Sequence, residues 1–211
     1  MEQDPAPRPQ ARRDLSDRLD RPNLVVGKHD RDKDRGVGER ALNLVRIYRK
    51  AYGLHASAGI LFNHESPRRG ENYVSRKIAS GAVRIARGLD TKLHLGALDP
   101  KRDWGYSPDV VRGMQAIVSA DRSDDYVLAT GVSHSVRDFC EAAFRVVGLD
   151  WQEFVVHDTR FDRPTDITET RGDASKARRE LGWEPRTGFA ELVRIMVEAE
   201  LESAGDGARH D

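Results

Sequence analysis

The chain has 211 residues, 38% hydrophobic and 33% charged, with 35 Lys+Arg against 35 Asp+Glu and a formal net charge of zero. Balanced charge leaves no basic footprint for nucleic acid, and no run approaches the ~20 apolar residues of a membrane span. A lone cysteine, Cys140, excludes an internal disulfide framework and a cysteine-based zinc site.

The length suits one large domain or two small ones, yet the apolar content is low, and the deficit is uneven. Residues 1–36 hold Pro5, Pro7, Pro9 and Pro22, four of the nine prolines, and the mixed run Asp30-Arg31-Asp32-Lys33-Asp34-Arg35. Such a segment cannot bury enough apolar surface to offset its ordering entropy. It has neither the apolar stretch of a secretory signal nor the acid-poor composition of a transit peptide, which points to the cytoplasm. Residues 1–36 read as a disordered or poorly packed leader. Their one apolar patch, Leu24-Val25-Val26, is a candidate strand.

From Glu39 the pattern alternates between helical and extended periods. Residues 39–51 place Ala41, Leu44, Val45, Tyr48 and Ala51 on one helical stripe, stopped by Gly53. His55 to Phe62 reads as a strand. Val74, Ile78, Ala82 and Ile85 mark a helix over 72–87, stopped by Gly88. Lys92 to Leu95 is a short strand. Ser107-Pro108 reads as a cap with proline in the first turn of a helix through Val110, Met114 and Ile117. Tyr126 to Thr130 is a strand closed by Gly131. Ser135 caps a helix carrying Val136, Phe139, Cys140 and Ala143, on whose apolar face the thiol reads as structural. Phe154 to His157 is a further strand. Asp173 caps a helix ending at Leu181-Gly182, Thr187 caps the last helix, and 204–211 form a flexible tail. This alternation predicts an α/β chain.

Two motifs fail on context. Gly36-Val37-Gly38-Glu39-Arg40-Ala41 matches a dinucleotide fingerprint, but the charged run 30–35 stands where a hydrophobic strand is required. Asp30, Asp32 and Asp34 resemble a calcium loop, but Arg35 and Ala41 occupy its Gly and Glu positions.

Three polar clusters carry the chemistry. Asn63-His64-Glu65-Ser66-Pro67-Arg68-Arg69-Gly70 begins where the strand 55–62 ends, the place where α/β sheets bind ligands. It reads either as an anion site, since Arg forks suit phosphate oxygens, or as a polar turn with Arg paired to Glu65. Lys101-Arg102-Asp103-Trp104-Gly105 offers cations and an aromatic plane: a base stacked on Trp104 with a phosphate at Arg102, or Asp103 paired to Arg102 with Trp104 plugging the core. Arg163-Pro164-Thr165-Asp166 reads as a clamp on a phosphate and a sugar hydroxyl, or as a surface pair.

Together these strings resemble the GDP-mannose 4,6-dehydratase family, NADP-dependent extended short-chain dehydrogenase/reductases. The matching text includes Tyr52-Gly53-Leu54-His55-Ala56, Asn63 through Gly70, Ser75-Arg76-Lys77-Ile78, Leu98 through Gly105, Ala129-Thr130-Gly131, His134-Ser135-Val136-Arg137, Arg163 through Asp166, and Gly172-Asp173 through Pro185. The order and spacing hold from about residue 43 to 200, in the C-terminal part of the family pattern. The resemblance implies that Asn63, Lys77, Arg102 and Arg163 hold GDP-mannose or a related GDP-sugar. Asp166 takes the place of a Glu there. His64 and Arg69 match positions that contact NADP.

The family reaction is an internal redox dehydration, a lyase chemistry. Hydride leaves C4 of the mannose for NADP, water is eliminated across C5 and C6, and the hydride returns to C6. It needs a Tyr base, a Lys four residues later, a Thr or Ser, and a Glu. Counting back from Tyr52-Gly53-Leu54, the Tyr and Lys positions fall on Asp34 and Gly38. The glycine-rich cofactor loop has no match either. The resemblance therefore implies a leader (1–36), a truncated NAD(P)-binding and substrate domain (37–203), and a tail (204–211). The fold expected is a partial Rossmann-type sheet plus the C-terminal substrate-binding domain. Such a chain is expected to be inactive alone, with the strand 55–62 short of neighbours and the chain marginally stable. The alternative is a non-catalytic GDP-sugar-binding module, or a subunit that joins a second copy or a full-length dehydratase.

Overall fold

The computed structural model describes residues 24–28, 35–162 and 167–206. β1 (Leu24–Lys28) leads through α1 (Arg35–Tyr52) into β2 (Ala56–Leu61), which is followed by β3 (Asn63–Glu65), α2 (Val74–Ala86) and β4 (Leu93–Leu95). β5 (Lys101–Arg102), β6 (Trp104–Tyr106), α3 (Ser107–Ser119), β7 (Asp125–Leu128), β8 (His134–Ser135) and α4 (Val136–Val146) come next. α5 (Trp151–Phe154), β9 (Val155–His157), a 3-10 turn (Thr159–Phe161), α6 (Ser175–Leu181) and α7 (Phe189–Asp206) complete the order. Within the span read as leader, 24–28 form a strand, and α7 runs into the span read as tail.

The largest sheet is parallel, in the order β1-β2-β7. β1 lies in register from Leu24 against Ala56 to Lys28 against Ile60, and β7 pairs the other edge of β2 from Ala58–Asp125 to Leu61–Leu128. This corrects the expectation that the strand 55–62 lacks neighbours: both of its edges are hydrogen-bonded, and residues from the leader supply one of them. Alternation along a strand sends successive side chains to opposite faces. Ala56 and Ala58 accordingly pack under Val45 of α1. Leu61, Tyr126 and Leu128 pack on the other face against Val110 and Ile117 of α3, Ala177 of α6 and Trp183.

A second core lies among α2, α4 and α7. Ile78, Ala79, Ala82 and Ile85 meet Phe139, Cys140, Ala143 and Phe144, with Leu192, Val193, Met196 and Val197. α2 can approach β4 because Gly81 has no side chain; a Cβ there would stand 2.8 Å from Leu93 Cδ1.

Several caps differ from the sequence reading. Ser135 does cap α4 and forms a capping box with Asp138. α3, however, has Tyr106 at its N-cap without a side-chain bond, because Pro108 rather than Ser107 sets its first turn. α6 has Ala174 at its N-cap, and Asp173 instead accepts from the Ser175 N–H at 2.9 Å. Thr187 N–H donates to Asp109 Oδ2 at 2.8 Å, two residues before α7 begins. The stripe assigned to α1 is also split: Val45 is buried, whereas Leu44 and Tyr48 face outward beside Ile47 and Tyr52. Gly36 and Gly38 lie within α1, so they form neither a phosphate loop nor a linker.

Candidate functional site

Just past the end of β2, the Phe62 N–H donates to Leu128 O at 3.2 Å, and the chain then leaves the main sheet as β3. β3 pairs in parallel with β6, setting Asn63 opposite Trp104 and His64 opposite Gly105. β5, directly before β6 in sequence, pairs antiparallel with β8 and puts Arg102 opposite His134. Lys101 N–H donates to Thr168 O at 2.8 Å, and Thr170 N–H donates back to Lys101 O at 3.0 Å. The first two polar clusters and the residues following the third are thereby gathered beyond the carboxyl ends of β2 and β7, where parallel sheets place ligands.

The centre of this arrangement is Asp103, which is fully buried. It does not pair with Arg102. Its Oδ1 accepts from the Thr130 N–H at 2.9 Å and the Thr130 hydroxyl at 2.6 Å; Oδ2 accepts from the N–H of Gly131 at 2.9 Å and of Gly172 at 3.1 Å. A buried carboxylate needs its lone pairs satisfied, and this one ties three loops together in satisfying them. Gly172 permits the approach, since a Cβ there would lie 2.3 Å from Ala129 Cβ. Trp104 is 2% exposed, packed edge-on to Phe139 and stacked with Phe189. That burial overturns the option of a base stacked on Trp104 and supports its role as a core plug.

Arg102 Nη1 donates to Lys101 O at 2.7 Å and Ile167 O at 2.8 Å. Asn63 lines a small cleft with Gly105, Tyr106, Thr130 and Trp183. Lys77 projects from the first turn of α2 and rests its Nζ 3.8 Å from the centre of the Phe161 ring. Burial lowers the pKa of its ammonium, and the Asp158 carboxylate opposes that shift. Arg163 and Asp166 lie outside the described residues.

In the first cluster the structure shows the polar-turn pairing of Arg with Glu65. Arg69 forms an ion pair with Glu65 at 3.1 Å and lays its guanidinium 3.6 Å from the centre of the Tyr73 ring. Glu65 is buried and also accepts from the Ser75 hydroxyl at 2.6 Å; burial raises its pKa, against the opposing pull of Ser75, Arg69 and His64. Arg69 Nε is the atom that faces Glu65 Oε2, and the side chain is 13% exposed. A guanidinium is a cationic fork of the kind that suits phosphate oxygens. His64 Nδ1 lies 2.9 Å from Phe62 O, and since a carbonyl only accepts, this nitrogen carries the proton.

His134 stacks on Phe189 with 3.8 Å between ring centres, and burial lowers its pKa. Asp103, Thr130, His134 and Phe161 were not singled out as site residues from the sequence. The strings Lys101–Gly105, Ala129–Gly131 and His134–Arg137 carried the signal for the first three, but not the contacts. Among the described residues, no group of three or more His, Cys, Asp or Glu could hold a metal ion, and no helix is long and apolar enough to cross a membrane.

Comparison with known proteins places this site in context. A family model described as GDP-mannose 4,6 dehydratase matches residues 40–196. GDP-mannose 4,6 dehydratase 1 of Arabidopsis thaliana is 52% identical over 157 residues, covering 74% of this chain and 44% of the relative. The GDP-mannose 4,6 dehydratase of Homo sapiens is 42% identical over 176 residues, covering 75% and 47%. The chain thus spans about half the length of the curated relatives it matches. Among solved structures, RMD from Pseudomonas aeruginosa complexed with NADPH superposes with a TM-score of 0.75 at 20% identity, covering 83% of this chain and 58% of that one. The dTDP-glucose 4,6-dehydratase of Bacillus anthracis in complex with NAD gives a TM-score of 0.68 at 17% identity, covering 86% and 59%. These likenesses show the fold, a Rossmann-type α/β sheet with its attached C-terminal elements.

Proposed function

The chain belongs to the GDP-mannose 4,6 dehydratase family, and we propose that its 211 residues act as the GDP-sugar-binding part of that enzyme and do not turn over GDP-mannose alone. Asn63, Lys77 and Arg102 hold the nucleotide sugar, with Arg163 and Asp166 completing the set. The single observation supporting this is the β3–β6 pairing, which sets Asn63 opposite Trp104, two residues after Arg102. Arg102 and Lys77 supply fixed positive charge to a diphosphate, and Asn63 supplies both a donor and an acceptor.

Arg69 and His64 are the residues that would hold NADP, which when bound supplies the hydride acceptor and donor. The acid–base work has no bearer at the matching positions: Gly38 has no side chain, and Asp34 is a carboxylate where a Tyr is needed. Titration calorimetry with GDP-mannose is expected to show binding that Arg102→Ala weakens at least tenfold, about 1.4 kcal/mol. Incubation with GDP-mannose and NADP is expected to yield no 4-keto-6-deoxy sugar. Product from the pure chain overturns the inactivity; an unchanged affinity in Arg102→Ala overturns the site.

A second reading, a subunit-interaction module, rests on α1. Leu44, Ile47, Tyr48 and Tyr52 form an exposed apolar stripe with the i, i+3, i+4 spacing of one helical face. A second copy, or a full-length dehydratase subunit, would cover it. Light scattering on the chain alone and mixed with a full-length relative tests this: a complex that Ile47→Glu disperses supports it, and a monomer in both samples refutes it.

A further inference from the structure

Phe161 is half exposed, and outside α1 no other aromatic among the described residues stands so open to solvent. Solvated loops are usually polar and mobile; this aromatic sits on a turn held from several directions. The Asp158 side chain caps the turn, accepting from the Arg160 N–H at 3.1 Å, and Phe161 N–H donates to Asp158 O at 3.0 Å. Asp158 N–H donates to Leu95 O at 2.7 Å, joining the turn to β4. His157 Nε2 meets Asp162 Oδ1 at 2.9 Å across the same turn. Gly96 lets the backbone close in, since a Cβ there would stand 2.6 Å from Phe161 O. The ring is therefore both exposed and positioned, and the ammonium of Lys77, a residue of the proposed GDP-sugar site, lies over one of its faces, 3.8 Å from the ring centre.

We propose that Phe161 is the stacking platform for the base of the nucleotide, which takes the ring face opposite the Lys77 ammonium. This rests on the reading of Lys77 as a GDP-sugar ligand. The chemistry follows from the ring. A base has an apolar π-face that pairs with an aromatic side chain in a sequence-tolerant way, and covering an exposed Phe removes apolar area from water. A rigid ring loses little conformational freedom on binding, so the gain is not spent on ordering.

The test is GDP titrated into the full chain and into Phe161→Ala, Phe161→Leu, Phe161→Tyr and Phe161→Trp. Because the side chain is half exposed, each variant is expected to keep the far-UV spectrum and melting behaviour of the wild type. Phe161→Ala and Phe161→Leu are expected to weaken GDP binding on the order of tenfold or more, whereas Phe161→Tyr restores it. In Phe161→Trp, GDP quenches an emission component absent from the wild type. A Phe161→Ala chain that binds GDP as the wild type does overturns the stacking role alone. A wild type that does not bind GDP overturns the GDP-sugar reading and the platform with it.

Discussion

Asp103 Oδ2 accepts a hydrogen bond from the N–H of Gly172 at 3.1 Å, across 69 residues of sequence. The same carboxylate holds Thr130 and Gly131, so the strand that follows Arg102 and the two loops beside it share one anchor. Asp103→Asn replaces one acceptor oxygen with a donor that faces N–H groups. Since hydrogen bonds to charged groups contribute about 1.5–3 kcal/mol each, a loss of about 3 kcal/mol is expected in urea unfolding. A midpoint equal to that of the wild type would show the anchor to be dispensable.

Gly172 carries a steric requirement that Gly188 does not. A Cβ at 172 would stand 2.3 Å from Ala129 Cβ and 2.8 Å from Phe62 Cε2, whereas one at 188 would meet nothing within 4 Å. Gly172→Ala is expected to cost about 1–3 kcal/mol by overpacking, and Gly188→Ala to stay within about 0.5 kcal/mol. Thermal melts of the two variants side by side check this, and equal shifts would refute it.

Two buried carboxylates give stability opposite slopes with pH. Burial pushes the Asp109 carboxyl upward, but bonds from the Thr187 N–H, Arg112 and the Arg186 N–H outweigh it and leave the pKa below 3.8. Its contribution is present above pH 3.8 and is lost as pH falls through the depressed folded value. Glu65 runs the other way: its raised pKa favours the protonated fold, so its contribution is present below pH 4.5 and is lost as pH rises through the folded value. The stability gap between wild type and Asp109→Asn should narrow on acidification below pH 3.8. Glu65→Gln should gain on the wild type as pH rises above 4.5. Urea unfolding across pH 2–8 measures both, and parallel curves would contradict the assignment.

Cys140 is buried, and its thiol pKa is pushed up to about 12 by that burial. At pH 8 the thiolate fraction is on the order of one in ten thousand, too small for direct attack on a disulfide reagent. Labelling by a thiol reagent is expected to follow global unfolding, with a rate that rises in urea alongside the unfolded fraction. Fast labelling in native buffer would place the thiol elsewhere.

Much of the secondary structure was legible because it is locally encoded. The α2 period, the Ser135 cap and the glycines closing helices at 53, 88 and 182 were readable from neighbouring residues; each of these glycines takes positive φ. β3, β5, β6 and β8 were not, because two- and three-residue strands are too short to show a period and exist only through partners far along the chain. The outward face of α1 was missed for a related reason. Leu44, Val45 and Tyr48 look alike in an apolar stripe, and only the position of the sheet decides that Val45 is buried and the others exposed.

Length, zero net charge and a lone cysteine settled by themselves which classes were excluded, and the strings from Asn63 to Pro185 settled the family. Those features are covalent and survive without a fold. The tertiary structure alone decided that residues 24–28 complete one edge of β2, that Asp103 serves two loops rather than Arg102, that Trp104 is core, and that Phe161 is open beside Lys77. Each of these depends on groups brought together from tens of residues apart, and hydrogen bonding and burial are set by distance in space, which the order of residues along a chain does not contain.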